Sequence, residues 1–321
     1  MKGSKKPEVR RAMLFINPRK RRARDIGNKI KQELESLNIQ ADTFQFESKR
    51  SFIHGKEGYN VIICLGGDGT VLYAARAFSP LGVPLFPINL GTFGFIAGVS
   101  PFEWKKVFNN WLAGKATVSQ RLMLEITVRR GGEDILKGRC LNDIVVSASG
   151  IAKIITLRVS CTAGGKDADR REVEGKKENF MKLGSYRCDG LIFSTPTGST
   201  AHSMAAGGPI IDPELDAVII NPICPFTLAH RAMVLSARET FLVEVEQEQR
   251  SGVVLTVDGQ VSEKLKGGDR IYLKKAPYRS LLIASGGEGF FKALKTKLAW
   301  SGGNEGGTLC LKSSASAISP L

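Results

Sequence analysis

The hydrophobic pattern of the sequence changes once, near Lys115. Before that point, short continuous apolar runs alternate with segments whose apolar residues recur at helical spacing. After it, apolar and polar residues alternate with a period of two over several segments, and few helical segments interrupt them. A chain with this pattern is expected to fold as an α/β region followed by a mainly-β region.

The first region carries strand and helix signals in turn. Residues 61–65 form a continuous apolar run, as expected of a parallel strand covered on both faces. Ser100, Pro101 and Glu103 match the N-cap, first helical position and capping box of a helix, so we expect a helix to begin at Pro101. Other predicted strands cover residues 13–16 and 83–88, and other predicted helices cover residues 26–37 and 71–78.

The second region is dominated by strand signals. The predicted strands cover residues 122–128, 144–147, 154–160, 191–194, 253–257, 270–274 and 281–284. Residues 164–182 are charged and contain several glycines, which predicts a loop. We therefore expect an α/β domain (1–115), a β-rich domain (116–284), a helix that packs back on the first domain (285–300) and a disordered Gly/Ser-rich tail (301–321).

Charge and cysteine content narrow the classes of function. The formal net charge of +15 favours an anionic partner, such as a nucleotide, polyphosphate, nucleic acid or membrane surface, without choosing among them. The six cysteines form no C-x-x-C pair, which is typical of reduced thiols in a reducing compartment. No apolar run reaches transmembrane length, so we expect a cytoplasmic protein.

The sharpest local motif is the loop Gly66, Gly67, Asp68, Gly69 and Thr70, between a predicted strand and a predicted helix. Glycines let backbone amides approach phosphate oxygens, and a helix N-terminus favours anions. A carboxylate among phosphates needs a separate reason, such as accepting or orienting a hydroxyl proton or holding a magnesium ion. A strand-to-helix turn with Asp68 as a helix cap is the structural alternative.

Two further segments follow predicted strands. Residues 89–95 contain three glycine or threonine positions between Asn89 and Phe95, and the Phe95 ring could stack on a base; an ordinary turn is the alternative. Asn142 and Asp143 form an amide–carboxylate pair that could contact ribose or adenine, or form an Asx turn. The run 189–203 ends in many small hydroxyl residues, which suits a polar ligand such as a dinucleotide.

Together these motifs resemble the NAD kinase family. The resemblance rests on GGDGT, NLGTFGF, LND, DGLIFSTPTGSTAHSMAAGGPI and NPICP, and it covers nearly the whole chain, as far as residue 300. The resemblance implies a Rossmann-like first domain and transfer of a phosphoryl group from ATP or polyphosphate to the adenosine 2′-hydroxyl of NAD. It also implies a homo-oligomer. A divalent metal ion, expected to be Mg²⁺, would accompany the triphosphate, and neither nucleic acid nor a membrane is expected as a partner.

The resemblance assigns roles to residues by position. Asp68 corresponds to the carboxylate that accepts or orients the hydroxyl proton, within the phosphate loop Gly66, Gly67, Gly69 and Thr70. Expected substrate or NAD contacts are Gly69, Phe95, Asn142, Asp143, Lys153, Arg187, Asp189, Thr200, Ala201, His202, Ser203, Ala205 and Gln260. Lys153 is placed by spacing alone. No metal ligand is assigned.

This sequence departs from the family pattern at three places. The family commonly has Glu at the position of Asp143 and Tyr at the position of His202, and the segment 164–182 is longer than usual. Two other functions share part of the pattern. A lipid kinase of the diacylglycerol or sphingosine type carries the GGDG loop, and a non-catalytic regulator could bind NAD through the same residues.

Overall fold

The computed structural model describes residues 6–18, 22–45, 58–91, 94–150, 153–162, 169–173, 176–227, 229–283 and 287–298. The predicted disordered tail, residues 301–321, lies outside the described residues. The same holds for Thr92 and Phe93, which belong to the second glycine-containing segment.

The N-terminal region is a parallel sheet with helices between its strands. The chain forms β1 (Arg11–Ile16), α1 (Ala23–Ser36), β2 (Gln40–Gln45), β3 (Val61–Gly66), α2 (Asp68–Phe78), a 3-10 turn (Ser79–Leu81), β4 (Leu85–Asn89) and α3 (Trp104–Leu112). The strand order β2-β1-β3-β4 places the carboxyl ends of β3 and β4 side by side. Every residue of β3 is buried, as the apolar run predicted.

The predicted start of α3 is wrong. The helix begins at Trp104 rather than Pro101. Ser100 instead accepts a hydrogen bond from the Phe102 amide at 3.1 Å, and the Glu103 amide bonds the Ser100 carbonyl. Residues 100–103 therefore form a turn ahead of the helix, because the Glu103 amide bonds a carbonyl three residues back and not four, as an α-helix requires.

The remaining strands complete two sheets. They are β5 (Val118–Arg130), β6 (Glu133–Cys140), β7 (Asp143–Ala148), β8 (Ile155–Thr162), β9 (Asp169–Val173), β10 (Lys176–Cys188), β11 (Gly190–Ser194), β12 (Ala217–Ile223), β13 (Met233–Ser236), β14 (Phe241–Val245), β15 (Val253–Val257), β16 (Val261–Leu265) and β17 (Arg270–Ile283). One sheet runs β2-β1-β3-β4-β17-β14-β8-β10-β9, with β5 paired to β17 and β6; the other runs β13-β12-β11-β7-β15-β16.

The two sheets pack face to face over one apolar core. The largest buried cluster takes residues from both sheets, among them Leu124 and Val159 from the first and Val146 and Phe193 from the second. Alternation explains this arrangement, because every second side chain of a half-buried strand points to the same face. The predicted α/β plus mainly-β fold class is confirmed.

Two predictions inside the β-rich region are wrong. Residues 270–274 and 281–284 were expected to form two strands, but β17 continues as one strand with a register shift between Lys275 and Arg279. Pro277 lies in that shift, and a proline cannot donate to a strand ladder. The predicted loop 164–182 contains β9 and part of β10, which pair as an antiparallel hairpin, since backbone pairing does not require apolar side chains.

A last helix, α5 (Gly287–Leu298), follows β17. Its Lys297 ammonium lies 4.5 Å from the centre of the Phe95 ring, so the helix reaches back to the N-terminal region as expected. Among the described helices, none combines the length and apolar character needed to cross a lipid bilayer.

Candidate functional site

The Asp68 carboxylate lies at the start of α2, directly after Gly66, which ends β3, and Gly67. It accepts three backbone hydrogen bonds from the loop after β4: Oδ2 from Phe95 at 3.0 Å, and Oδ1 from Ile96 at 3.3 Å and Ala97 at 2.9 Å. These bonds fix the orientation of the carboxylate. A carboxylate offers about four acceptor positions, so a further donor can still bind at Oδ2.

Two glycines are required by close packing around this turn. A Cβ atom at Gly94 would lie 1.9 Å from Asp68 Oδ1. A Cβ atom at Gly66 would lie 2.0 Å from Thr70 Oγ1, and Thr70 is itself buried. The glycines of both sequence motifs therefore serve the packing of Asp68 and Thr70 against the backbone.

The segment Leu141–Asp143 and the turn after β11 are bonded to each other. The Thr195 amide donates to the Asn142 carbonyl at 2.8 Å, and the Thr195 hydroxyl donates to the Leu141 carbonyl at 2.5 Å. A Cβ atom at Gly198 would lie 2.2 Å from the Asn142 carbonyl oxygen. Several hydroxyls that the sequence suggested as ligand donors thus hold this turn in place.

Two buried polar atoms of the site lack a partner within the described part of the chain. They are Asn142 Oδ1 and Thr197 Oγ1. A buried polar atom without a hydrogen bond is unfavourable by about 1–3 kcal/mol, so such atoms normally find a partner. Both atoms belong to segments that the sequence predicted to contact a ligand, and a polar ligand would satisfy them.

Asp143 is buried and carries an unusual pKa. Burial, together with the nearby negative charge of Asp258, raises its pKa to about 7. Its side chain is 5% exposed. A carboxyl group that changes charge near neutral pH can act as donor in one state and as acceptor in the other.

A buried network joins α2 to this segment, and the sequence analysis missed its two central residues. Arg76 Nη1 donates to Asp258 Oδ2 at 2.7 Å, and Asp258 accepts the amides of Leu141, Asn142 and Asp143 at 3.2, 2.8 and 3.3 Å. The sequence offered two signals for these residues. Arg76 is an arginine in an alanine-rich helix, and Asp258 belongs to an Asp-Gly pair between two strands.

Gln260 belongs to the same network. Its Nε2 donates to the Gly69 carbonyl at 2.8 Å, and its Oε1 accepts a hydrogen bond from Arg76. Both polar atoms of this side chain thus bond other parts of the chain. The network runs from Gly69, beside Asp68, through Gln260, Arg76 and Asp258 to Asn142.

The helix α4 (His202–Ala205) follows the turn after β11. Thr200 is buried and its hydroxyl donates to the Thr197 carbonyl at 3.3 Å, whereas His202 is exposed. Ser203 is buried, and Asn221 Nδ2 donates to its carbonyl at 2.9 Å. Ala201 and Ala205 lie at the two ends of the helix, joined by a backbone hydrogen bond of 3.3 Å.

Three predicted NAD contacts lie at the opposite end of the six-stranded sheet. In the pairing of β11 with β7, Ser194 faces Asp143 at one end and Gly190 faces Ser147 at the other, about 13 Å away at ~3.3 Å per residue. Asp189 belongs to the second end, where its carbonyl accepts the Ala148 amide. Lys153 and Arg187 line a cleft of about 340 Å³ there, together with Ile154, Thr156, Glu248, Gln249, Arg250 and Ser251.

Comparison with known proteins assigns the chain to a class of nucleotide-dependent phosphotransferases. Residues 8–116 match the ATP-NAD kinase N-terminal domain, and residues 168–285 match the ATP-NAD kinase C-terminal domain. An NAD kinase of Treponema denticola is 35% identical over 294 residues, which is 92% of this chain and 98% of that protein. An NAD kinase of Geobacter sulfurreducens is 38% identical over 241 residues, 75% of this chain and 78% of that protein.

The chain belongs to the NAD kinase family, and it is therefore an enzyme, a phosphotransferase. The fold agrees with two solved structures. Yeast NADH kinase complexed with NADH superposes with a TM-score of 0.77 at 21% identity, covering 92% of this chain and 89% of that one. An Archaeoglobus fulgidus NAD kinase in complex with ATP gives a TM-score of 0.66 at 23% identity, covering 92% and 100%.

Proposed function

We propose that this enzyme transfers the terminal phosphoryl group of ATP to the adenosine 2′-hydroxyl of NAD, with Asp68 as the residue that accepts or orients the hydroxyl proton. One observation carries the assignment of Asp68. Its carboxylate is fixed by three amides, keeps an acceptor position on Oδ2, and is connected through Gly69 and Gln260 to the network that ends at Asn142.

At the phosphorus, the reaction forms one bond and breaks one. The 2′-oxygen bonds to the terminal phosphorus, the bond from that phosphorus to the oxygen of ADP breaks, and the hydroxyl proton passes to Asp68 Oδ2. Asn142 and Asp143 would hold the adenosine, with Asn142 Oδ1 as an acceptor for a ligand N–H or O–H group. Most of the rate enhancement then comes from positioning and from charge neutralisation, as in other phosphoryl transfers.

The triphosphate would bind against the Gly66–Thr70 turn. The first amides of a helix lack intrahelical partners, and the helix N-terminus attracts anions. Polyphosphate offers the same terminal phosphoryl group, so both donors belong in the assay. The Phe95 ring is the candidate to stack on the adenine base of ATP or NAD. Lys297 lies over one face of this ring.

A Mg²⁺ ion fits this donor set. Such an ion binds through one or two carboxylates together with substrate phosphates. Because the remaining acceptor position of Asp68 Oδ2 takes the hydroxyl proton, the phosphates would supply most of the ligands for the ion. When bound, it would neutralise charge on the transferred phosphoryl group. Within the described residues, no group of three or more His, Cys, Asp and Glu side chains could hold a metal by itself, which agrees with an ion that depends on phosphates.

We also propose a homo-oligomer in the cytoplasm. Lys153 and Arg187 line a cleft near Asp189, whose neighbour Gly190 lies about 13 Å along β11 from Ser194, so a second copy could bring these three residues to the same NAD molecule. The described cysteines are free thiols, in line with a reducing compartment.

The test is an assay with purified protein, NAD, Mg²⁺ and either ATP or polyphosphate, with NADP as the measured product. We expect NADP with at least one donor, and none from an NAD analogue that lacks the adenosine 2′-hydroxyl. Binding of NAD without NADP would favour a non-catalytic regulator. Phosphorylation of diacylglycerol or sphingosine in vesicles, with NAD inert, would favour a lipid kinase.

A further inference from the structure

A buried ion pair connects helix α2 to the β-rich region. Arg76 and Asp258 are 182 positions apart in sequence, and their side chains are 7% and 0% exposed. A buried ion pair adds little net stability compared with apolar residues of similar size, because both charges lose their water. Stability alone therefore does not explain this pair.

The turn between β15 and β16 presents Asp258 in one orientation. Asp258 has a φ of 49° and Gly259 a φ of 62°, both in the left-handed region that suits a tight turn. The three amides of residues 141–143 bond its two oxygens, Oδ1 receiving two of them. The position of Asp258 thus determines where the backbone of Asn142 and Asp143 lies.

The same turn holds α2 at two points. Near the end of the helix, Arg76 bonds Asp258 and Gln260. At its first turn, the Gly69 carbonyl accepts a hydrogen bond from Gln260 Nε2. The two points are seven residues apart, about 10 Å along the helix, so they fix both its position and its direction. Asp68 is the residue before the first of these points.

We propose that Arg76 and Asp258 are positioning residues that set the distance and angle between Asp68 and the Asn142–Asp143 backbone. The inference rests on the proposed function, since it assigns the attacking hydroxyl to the space between those groups. Neither residue touches the reacting atoms. They act by joining the helix that carries Asp68 to the segment that holds the adenosine.

Phosphoryl transfer is sensitive to such a connection. The attacking oxygen and the phosphorus must align, and a shift of about 1 Å can lower the rate about 100-fold. Loss of the ion pair would let α2 move relative to residues 141–143, while the surfaces that bind ATP and NAD separately stay intact. The expected signature is a fall in kcat with little change in KM.

Arg76→Met and Arg76→Lys provide the test, with kcat and KM for NAD and ATP measured well below the melting temperature. Arg130–Asp269 is the control pair, in which the arginine side chain is 31% exposed. It joins an arginine to an aspartate that is 1% exposed at 2.7 Å, in a turn whose Lys266 amide bonds the aspartate. We place no part of that pair in the catalytic or binding machinery.

We expect Arg76→Met to lower kcat about 100-fold and to change either KM by less than about threefold. The kcat of Arg76→Lys should be about tenfold higher than that of Arg76→Met, since lysine keeps the charge but not the guanidinium geometry. Arg130→Met should lower the melting temperature by less, because Arg130 is partly exposed, and should leave kcat within about twofold.

Equal kcat losses in the Arg76→Met and Arg130→Met proteins, or a wild-type kcat in Arg76→Lys, would overturn the inference. Where Arg76→Met does not fold, the comparison of Arg76→Lys with Arg130→Lys decides in the same way. The unmodified protein is assayed first. Absence of NADP there refutes the proposed function and the inference with it, whereas normal NADP formation with unaffected variants refutes the inference alone.

Discussion

The two ends of the six-stranded sheet are built in different ways. At the end that holds Asp143, residues 141–143 are buried and bonded to the turn after β11, and the Arg76–Asp258 pair joins them to the Asp68 helix. At the other end, Lys153 and Arg187 are exposed side chains around an open cleft. The Arg187 guanidinium contacts the Phe226 ring, 4.9 Å from its centre.

This difference matches two different tasks. Chemistry requires groups held in place before the substrate arrives, which buried and mutually bonded residues provide. Attraction of a phosphate-containing ligand requires charge, which exposed cations supply without fixed geometry. Substitutions at the first end should therefore lower kcat, and substitutions at the second should raise KM.

Asp68→Asn should have the largest effect. An amide group in place of the carboxylate presents an N–H group to the amides of residues 95–97 and removes the proton acceptor. We expect kcat to fall at least about 1,000-fold, and the dissociation constant of NAD, measured by calorimetry, to change by less than about threefold.

Asp25→Asn is the control for this change, because Asp25 is an exposed aspartate in the first turn of another helix. It should keep full activity. If the Asp68→Asn protein kept more than about a tenth of the wild-type kcat, Asp68 would not be the residue that accepts or orients the hydroxyl proton.

Gly198→Ala tests the packing of the buried end. The added methyl group would lie 2.2 Å from the Asn142 carbonyl oxygen and 2.6 Å from Ser194 Oγ, so the turn or the 141–143 segment must move. We expect kcat to fall about 100-fold and the melting temperature to fall by several degrees, about 3 °C for each kcal/mol lost.

Gly98→Ala is the matched control. A Cβ atom at Gly98 would have no neighbour within 4 Å, so the activity of the Gly98→Ala protein should equal that of the wild type. Full activity in Gly198→Ala would show that the close contact between this turn and Asn142 does not set the geometry of the site.

The outline of the fold follows from the sequence because periodicity depends on local burial. The buried strand β3 and the alternating strand β15 agree with the predicted bounds or nearly so. The single strand β17 and the β9–β10 hairpin were not predicted, since partner strands and not local pattern decide them. The domain boundaries stay a prediction.

The site was predictable only where a residue belongs to a compact motif. The GGDGT and LND segments meet through Arg76 and Asp258, which lie outside those motifs and find each other only in the folded chain. Gln260 was named as a ligand residue, yet its polar atoms bond Gly69 and Arg76. The roles of all the predicted site residues stay predictions until they are tested.

Arg187→Ala and Lys153→Ala test the open end. We expect each to raise the KM for NAD about tenfold with kcat unchanged, since a charge-assisted hydrogen bond contributes about 1.5 kcal/mol. The effect should shrink at high salt because exposed charges are screened. Arg10→Ala, which removes an exposed arginine side chain, is the control. A fall in kcat without a change in KM would contradict the division between the two ends.

Asp143→Asn tests the pKa shift of this carboxyl group. The expected effect, the smallest in this series, is a change in the pH dependence of the melting temperature. The folded-state pKa of about 7 lies above the unfolded value of ~3.9, so the added stability is full below ~pH 4 and is lost as the pH rises through 7. Between pH 5 and 7, the melting temperature of the wild type should fall by about 3 °C more per pH unit than that of Asp143→Asn. Parallel slopes, measured by calorimetry against the Asp25→Asn control, would contradict the pKa shift.

The most direct measurement of the central claim is a crystal structure of the protein with NAD bound. The account predicts that the adenosine 2′-oxygen lies about 3 Å from Asp68 Oδ2, with Asn142 Oδ1 bonded to the ligand. A 2′-oxygen more than about 6 Å from Asp68, or directed to another carboxylate, would contradict it.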